Sequence, residues 1–144
     1  MIQEFTRDTA RTWAEISLGN LEHNYRVLRA CAPDSRFLAT VKANAYGHGA
    51  VPVARRLVEL GADYLAAACL SEARELRQAG IKAPILILGY TQPGLAGELV
   101  ELDVTQTVFT PELARALSGA AGAAGKRAKV HLKADTGKIG RAHV

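Results

Sequence analysis

Lys42 is the residue whose position in this chain most strongly suggests chemistry. It ends the apolar run Phe37-Leu-Ala-Thr-Val, and the small and polar residues 43–49 follow it at once. Ionised lysine is rarely buried without a partner, so a lysine in this position indicates the mouth of a parallel α/β sheet, where ligands bind. A lysine amine there is a nucleophile toward carbonyl groups. The alternative is an inert lysine that reaches into water from a strand end.

Alternating strand and helix patterns predict the framework that carries this lysine. Apolar runs starting near residues 37, 64, 85, 105 and 128 are predicted strands, and Pro84–Leu88 is apolar on both faces, as in a strand covered by helices. Helical spacing between these runs predicts parallel βαβ units with right-handed crossovers.

Local signals set the predicted boundaries of the helices. Ser17 or Asn20 is expected to cap the first helix, Ser71 a helix over 72–79, and Thr110 the last one. A helix over 93–102 follows Pro93. Two further expectations are a short strand over Trp13–Ile16 and a flexible loop over 119–125.

Two α/β architectures fit five strands in this order. An open doubly wound sheet usually has a glycine-rich turn after its first strand, but this chain has Lys42-Ala-Asn-Ala-Tyr46 there. A (β/α)8 TIM-type barrel needs about 250 residues and eight strands. We therefore expect a partial (β/α)8 barrel of about five βα units. Because the chain ends shortly after its fifth strand, we also expect it to be cut from a longer protein.

Composition indicates a soluble globular protein. Apolar residues make up 49% and charged residues 22%, without a run long enough to span a membrane or a signal peptide, so we expect a cytoplasmic location and no membrane partner. The net charge of +4 is local, since residues 126–144 hold six of the 18 basic residues. Alternation of charge there predicts a strand rather than a nucleic-acid-binding arm.

The two cysteines, Cys31 and Cys69, are expected to be reduced, buried and inert. A disulfide is rare in a chain that is not secreted, and the spacing is not that of a metal site. We predict no metal ligands.

The segment Val41-Lys-Ala-Asn-Ala-Tyr-Gly-His-Gly49 resembles the pyridoxal 5'-phosphate (PLP) signature of bacterial alanine racemases. Similarity to this family extends to residues 11–18, 20–25, 84–89 and 133–137. The resemblance implies that residues 1–144 form the N-terminal part of the family's PLP-binding barrel. The family's β-rich C-terminal domain would then be absent from this chain.

The resemblance also implies an activity and a cofactor. The family are PLP-dependent isomerases that interconvert L-alanine and D-alanine, supply D-alanine for cell-wall peptidoglycan, and work as homodimers. The resemblance implies that Lys42 is the Schiff-base lysine and one of two acid/base groups. The second group is a tyrosine from the other subunit's C-terminal domain.

Three further residues receive roles from the resemblance. Tyr46 would lie near the cofactor phosphate, with simple packing in the loop as the alternative. Lys133 matches a family lysine that is often carbamylated, with an ordinary exposed strand lysine as the alternative. Arg141 is the candidate for a cofactor-binding arginine. The sequence departs from the family pattern after Gly137, however, and the two possible alignments place Lys138 or Gly140, not Arg141, at the position of the family's arginine.

Three other interpretations remain open. A serine or broad-specificity amino-acid racemase would share this part of the sequence, and a non-catalytic PLP-binding carrier protein would share its fold. The third is a truncated, partly folded product whose unpaired sheet edges associate. We expect the 144 residues alone to be inactive or nearly so.

Overall fold

A computed structural model describes residues 12–134, 136 and 137. These described residues form six helices and five strands, which alternate along the chain except that α3 follows α2 directly, and one 3-10 turn, Pro93–Leu95, precedes α5. The helices are α1 Leu18–Cys31, α2 Lys42–Tyr46, α3 Ala50–Glu59, α4 Leu70–Gln78, α5 Ala96–Glu101 and α6 Pro111–Ala123. The strands are β1 Leu38–Thr40, β2 Tyr64–Ala67, β3 Ile85–Ile87, β4 Thr105–Val108 and β5 Lys129–Leu132.

The five strands form one parallel sheet in the order β1-β2-β3-β4-β5. Each strand pairs with its neighbour in sequence, for example Ala39 with Leu65 and Ala66 with Leu86. All the carboxyl ends therefore lie along the same edge of the sheet. This order, without the reversal of an open doubly wound sheet, confirms the predicted run of barrel-type βα units.

Helices cover one face of the sheet and bury its core. Because side chains alternate along a strand, Leu65, Ala67, Ile85 and Ile87 point to this face and pack with buried residues of the helices, such as Leu76 of α4. Ile85 and Ile87 are fully buried, and Leu86 on the other face is 6% exposed, so β3 is buried on both faces as predicted although helices cover only one of them.

The opposite, concave face carries polar groups. The Tyr64 hydroxyl lies 3.0 Å from Thr105 Oγ1, and the rings of Tyr64 and His131 are 6.2 Å apart. The sheet has two edges, β1 and β5. Beside β5, Leu132 is 84% exposed and borders an open groove of about 520 Å³ between the strand and α6.

Two element predictions were wrong. Residues 13–16 are not assigned to a strand, and among the described residues β1 pairs with β2. The glycine-rich stretch 119–125 was predicted to be a loop, but most of it is helical, because α6 continues to Ala123. Leu117 and Ala121 are buried on that helix, and their packing outweighs the low helix propensity of Gly119 and Gly122.

The capping predictions were confirmed at two helices and wrong at one. Ser17 accepts a hydrogen bond from the Asn20 N–H at the start of α1, and Thr110 caps α6 in the same way. Ser71 lies inside α4, whose N-cap residue is Cys69. The prediction that both cysteines are buried was wrong, because Cys31 is exposed and Cys69 is half-buried; both are free.

None of the helices in the described part of the chain is long and apolar enough to cross a membrane.

Candidate active site

The carboxyl end of β1 places Lys42 at the edge of the sheet. The Val41 N–H donates to the Ala66 carbonyl at 2.9 Å, which keeps the chain joined to β2 up to the residue before the lysine. Lys42 is half-buried, and its Nζ lies 6.0 Å from the centre of the Tyr46 ring. The structure thus brings Lys42 and Tyr46 together, with Tyr46 61% exposed.

The backbone after Lys42 is left-handed over four consecutive residues that are not glycine. The φ angles of Ala43, Asn44, Ala45 and Tyr46 lie between 51° and 54°, and Gly47 follows at 89°. Such a conformation costs L-residues about 1–2 kcal/mol each. Hence α2 is one left-handed turn rather than a right-handed α-helix.

Hydrogen bonds from backbone and side chains hold this turn in place. The Ala45 N–H donates to the Val41 carbonyl at 2.9 Å, and the Gly49 N–H donates to the Asn44 carbonyl at 3.0 Å. The Asn44 side chain also accepts from the Ala50 N–H at 2.7 Å, which caps α3. His48 donates through Nδ1 to the Ala45 carbonyl at 2.8 Å, a structural role within the loop.

Glu72 joins the turn to the end of the neighbouring strand. Its Oε1 accepts from the Ala43 N–H at 2.8 Å and its Oε2 accepts from the Ala68 N–H at 2.6 Å. Sequence reasoning missed both Glu72 and Asn44. The available signal was a glutamate three residues after the helix N-cap, the spacing at which a carboxylate turns back to a backbone amide.

Lys133 follows β5 on the same edge of the sheet. Its Nζ donates to the Leu88 carbonyl at 3.4 Å and lies 6.0 Å from the centre of the Phe109 ring, which itself contacts Tyr90. With β1 and β5 at opposite edges, about 19 Å of sheet separates Lys133 from Lys42 at the usual strand spacing. The two lysines line one rim without touching.

A buried polar network shapes the chain after β3. Gln106 is fully buried in β4; it donates from Nε2 to the Gly89 carbonyl at 2.8 Å and accepts from the Thr91 hydroxyl at 2.8 Å. A Cβ on Gly89 would lie 2.5 Å from the Ala68 carbonyl oxygen. The sequence signal for this network was a glutamine between the threonines of an apolar strand, and it was overlooked.

The described residues fit one end of a PLP molecule. A lysine amine matches the cofactor's aldehyde, and a tyrosine hydroxyl is a suitable donor to a phosphate oxygen. Arg141 lies outside the described residues. In the part of the chain that the structure describes, no group of three His, Cys, Asp or Glu residues is placed to hold a metal ion.

Comparison with known proteins gives the same family from sequence and from structure. Residues 16–143 match the family model of the alanine racemase N-terminal domain. An alanine racemase of Desulforamulus reducens is 53% identical over 126 residues, which cover 87% of this chain and 34% of that protein. The chain thus spans about a third of the length of this curated relative.

Solved structures show the same partial coverage. The alanine racemase of Clostridium difficile 630 superposes with a TM-score of 0.87 at 42% identity, covering 92% of this chain and 35% of that one. A histidine racemase from Leuconostoc mesenteroides superposes with a TM-score of 0.73 at 31% identity, over 80% of this chain and 31% of that one. Because residues 16–143 match the family model, this chain belongs to the alanine racemase N-terminal domain family.

Proposed function

We propose that the protein carrying this chain is a PLP-dependent racemase that interconverts L-alanine and D-alanine. The observation that carries the proposal is the placement of Lys42 at the carboxyl edge of a parallel sheet by a left-handed turn with the sequence Ala-Asn-Ala-Tyr-Gly. The similarity to alanine racemases over residues 16–143 supports it. We further propose that residues 1–144 form the N-terminal part of the PLP-binding barrel.

Lys42 has two proposed tasks. Its amine holds the cofactor through the aldehyde, and when released it moves a proton on one face of the substrate α-carbon. PLP, when bound, supplies the electron sink that lets this proton leave. The side chain is half-buried and starts from a fixed turn, so its amine is held toward the rim of the sheet.

Tyr46, Lys133 and Arg141 are the proposed supporting residues. The exposed Tyr46 would donate its hydroxyl to the cofactor phosphate. Lys133 would carry a carbamate, since its Nζ makes one long hydrogen bond to a carbonyl and no ion pair among the described residues. Arg141, which lies outside the described residues, is the proposed cofactor-binding arginine.

The proposal requires a second acid/base group on the other face of the α-carbon. We propose that a tyrosine from the C-terminal domain of a partner subunit supplies it in a homodimer. The enzyme would act in the cytoplasm, where its D-alanine enters peptidoglycan synthesis.

Covalent trapping tests the lysine. The protein is incubated with PLP, reduced with borohydride, digested and mapped. We expect the label on Lys42 and its loss in Lys42→Ala, whereas Lys126→Ala, which removes an exposed lysine beyond α6, should label normally. Label on another lysine, or none, would refute the cofactor assignment.

The carbamate has its own test. Isotope-labelled bicarbonate should give a carbamate signal that disappears in Lys133→Arg and remains in Lys129→Arg. Lys129 is the matched control because it begins β5, the strand that Lys133 follows, and its amine is paired with Asp103 at 2.8 Å. A signal that survives Lys133→Arg would contradict the assignment.

A second candidate is a racemase for another amino acid. The histidine racemase of Leuconostoc mesenteroides, which shares the fold of this part of the chain, favours this alternative. Initial rates with alanine, serine and histidine as substrates decide between them. A protein that binds PLP at Lys42 and racemises none of them would be a carrier instead.

A further inference from the structure

The Glu72 carboxylate bridges two loops that belong to different strands. Its two oxygens accept hydrogen bonds at 2.8 Å from the Ala43 N–H after β1 and at 2.6 Å from the Ala68 N–H after β2. Glu72 itself lies in the first turn of α4 and is half-buried. One side chain thus connects β1, β2 and α4 at the carboxyl edge of the sheet.

Capping of its own helix explains only one of these bonds. A glutamate at this position ordinarily returns to a backbone N–H just before its helix, and the bond from Ala68 does this. The bond from Ala43 reaches 29 residues back along the chain and adds nothing to α4. The second oxygen must therefore act on the turn of α2.

The left-handed stretch of backbone begins at Ala43. This residue follows Lys42 directly and is the first of the four left-handed residues. A strained backbone persists only where its surroundings fix it, and a hydrogen bond to a carboxylate is about twice as strong as a neutral one. The peptide between Lys42 and Ala43 is thereby locked, and with it the direction in which the Lys42 side chain leaves the chain.

We propose that Glu72 is a positioning residue for Lys42. By holding the Ala43 amide, its carboxylate keeps the left-handed turn formed and aims the Lys42 amine at the rim of the sheet. The inference rests on the proposed function insofar as Lys42 is the cofactor lysine.

Glu72→Gln is the decisive variant because it keeps the size of the side chain. An amide has one acceptor oxygen, so at least one of the two backbone N–H groups loses its partner. Glu72→Ala removes both bonds, and Glu75→Gln changes an exposed carboxylate one turn along the same helix as the control. Hydrogen exchange at individual amides and the rate of PLP labelling at Lys42 are measured in each protein.

We expect the Ala43 amide to exchange at least about tenfold faster in Glu72→Ala, as loss of a hydrogen bond to a charged group implies. Exchange of the Leu88 amide, which donates to the Ala67 carbonyl within the sheet, should stay unchanged. The rate of Lys42 labelling should fall about tenfold in Glu72→Ala, less in Glu72→Gln, and not at all in Glu75→Gln.

Three results would overturn the proposal. If only amides of α4 such as Ala73 exchange faster, Glu72 is a helix cap. If hydrogen exchange at the Leu88 amide becomes faster by as much as exchange at the Ala43 amide, Glu72 contributes only to the general stability of the fold. If Ala43 exchange rises while Lys42 labels at the normal rate, the turn does not aim the lysine. Absence of label in the unmodified protein would instead refute the cofactor assignment, and Ala43 exchange would still report on the bridge.

Discussion

At the scale of single residues, the turn of α2 combines an unfavourable backbone with a dense set of hydrogen bonds. Its four left-handed residues are not glycines, and Ala45 is buried at 5% exposure. Glycine would suit the dihedral angles better but would leave the turn flexible in the absence of a ligand. We infer that strain is retained here because the turn must present Lys42 and Tyr46 in one fixed arrangement.

Substitution at Ala43 tests this strain. Its side chain is exposed and its φ is 51°, so Ala43→Val adds a β-branched residue where such residues are outliers and should lower the free energy of unfolding by about 1–2 kcal/mol. Ala43→Gly should change it by less than about 1 kcal/mol, because relief of strain offsets the added chain entropy. Urea unfolding of both variants measures the difference, and equal losses would show that the turn is not strained.

Gly89 presents a steric rather than a conformational requirement. A Cβ there would meet the Ala68 carbonyl oxygen at 2.5 Å, so Gly89→Ala should destabilise the protein by about 1–3 kcal/mol and displace the chain after β3. Gly97 in α5 is the matched control, since a Cβ there meets no atom within 4 Å. Gly97→Ala should stabilise by about 0.5–1 kcal/mol, the usual gain within a helix. Thermal unfolding measures both variants: a lower melting temperature for Gly89→Ala and a higher one for Gly97→Ala would confirm the assignment.

At the scale of elements, ion pairs and an arginine clamp fasten the helices to one another. Arg74 of α4 binds Glu98 of α5 through two hydrogen bonds of 2.5 and 3.0 Å. Arg77 of α4 donates to four backbone carbonyls, those of Ile81, Ala83, Leu102 and Asp103. These contacts fix α4, and hence Glu72, against the next βα unit.

The Arg74–Glu98 pair predicts a dependence of stability on pH. The hydrogen bond from Arg74 holds the pKa of the Glu98 carboxyl below its usual value. The contribution of the pair is therefore present above the ordinary glutamate pKa and is lost as the pH falls through the lowered one. Glu98→Gln should be less stable than the parent at neutral pH, with the difference shrinking in acid. Urea titrations of Glu98→Gln and of the control Glu101→Gln over this range measure it, and a constant difference would exclude the linkage.

At the scale of the whole molecule, the sheet is an arc rather than a closed barrel. It holds five strands, with β1 and β5 at its edges, and Leu38 and Leu132 are exposed beside them. Lys42 and Lys133 lie at the two ends of this arc. A ligand bound between them would therefore contact the described sheet on one side, and its remaining contacts would come from residues beyond this sheet. Closure by further strands is the arrangement of a (β/α)8 barrel.

This arc predicts that the 144 residues do not racemise alanine by themselves. The proposed second acid/base group belongs to a partner subunit, and the described sheet has five of the eight strands of a barrel, so turnover by residues 1–144 alone should be several orders of magnitude below that of a protein with the whole barrel. Formation of D-alanine from L-alanine, followed enzymatically, measures both. Clear turnover by the 144-residue chain would overturn the two-base proposal. Size measurement in solution would separately show whether the sheet edges associate.

Sequence patterns were enough to predict the five strands of the sheet in their order, and Lys42 at the end of the first of them. Apolar runs and capping residues predicted all five strands of the sheet, because alternation and burial are local properties of the chain. The segment from Val41 to Gly49 was sufficient to indicate the family, since it is contiguous.

The way in which Lys42 is held depends on contacts that form only in the folded chain. The handedness of α2 cannot be read from Ala-Asn-Ala-Tyr, which has no intrinsic preference for positive φ outside its asparagine. The contacts of Glu72 with Ala43 and of Gln106 with Gly89 join residues 29 and 17 positions apart. Such contacts exist only once the strands are side by side, and for that reason pattern and propensity identified the lysine but not the residues that aim it.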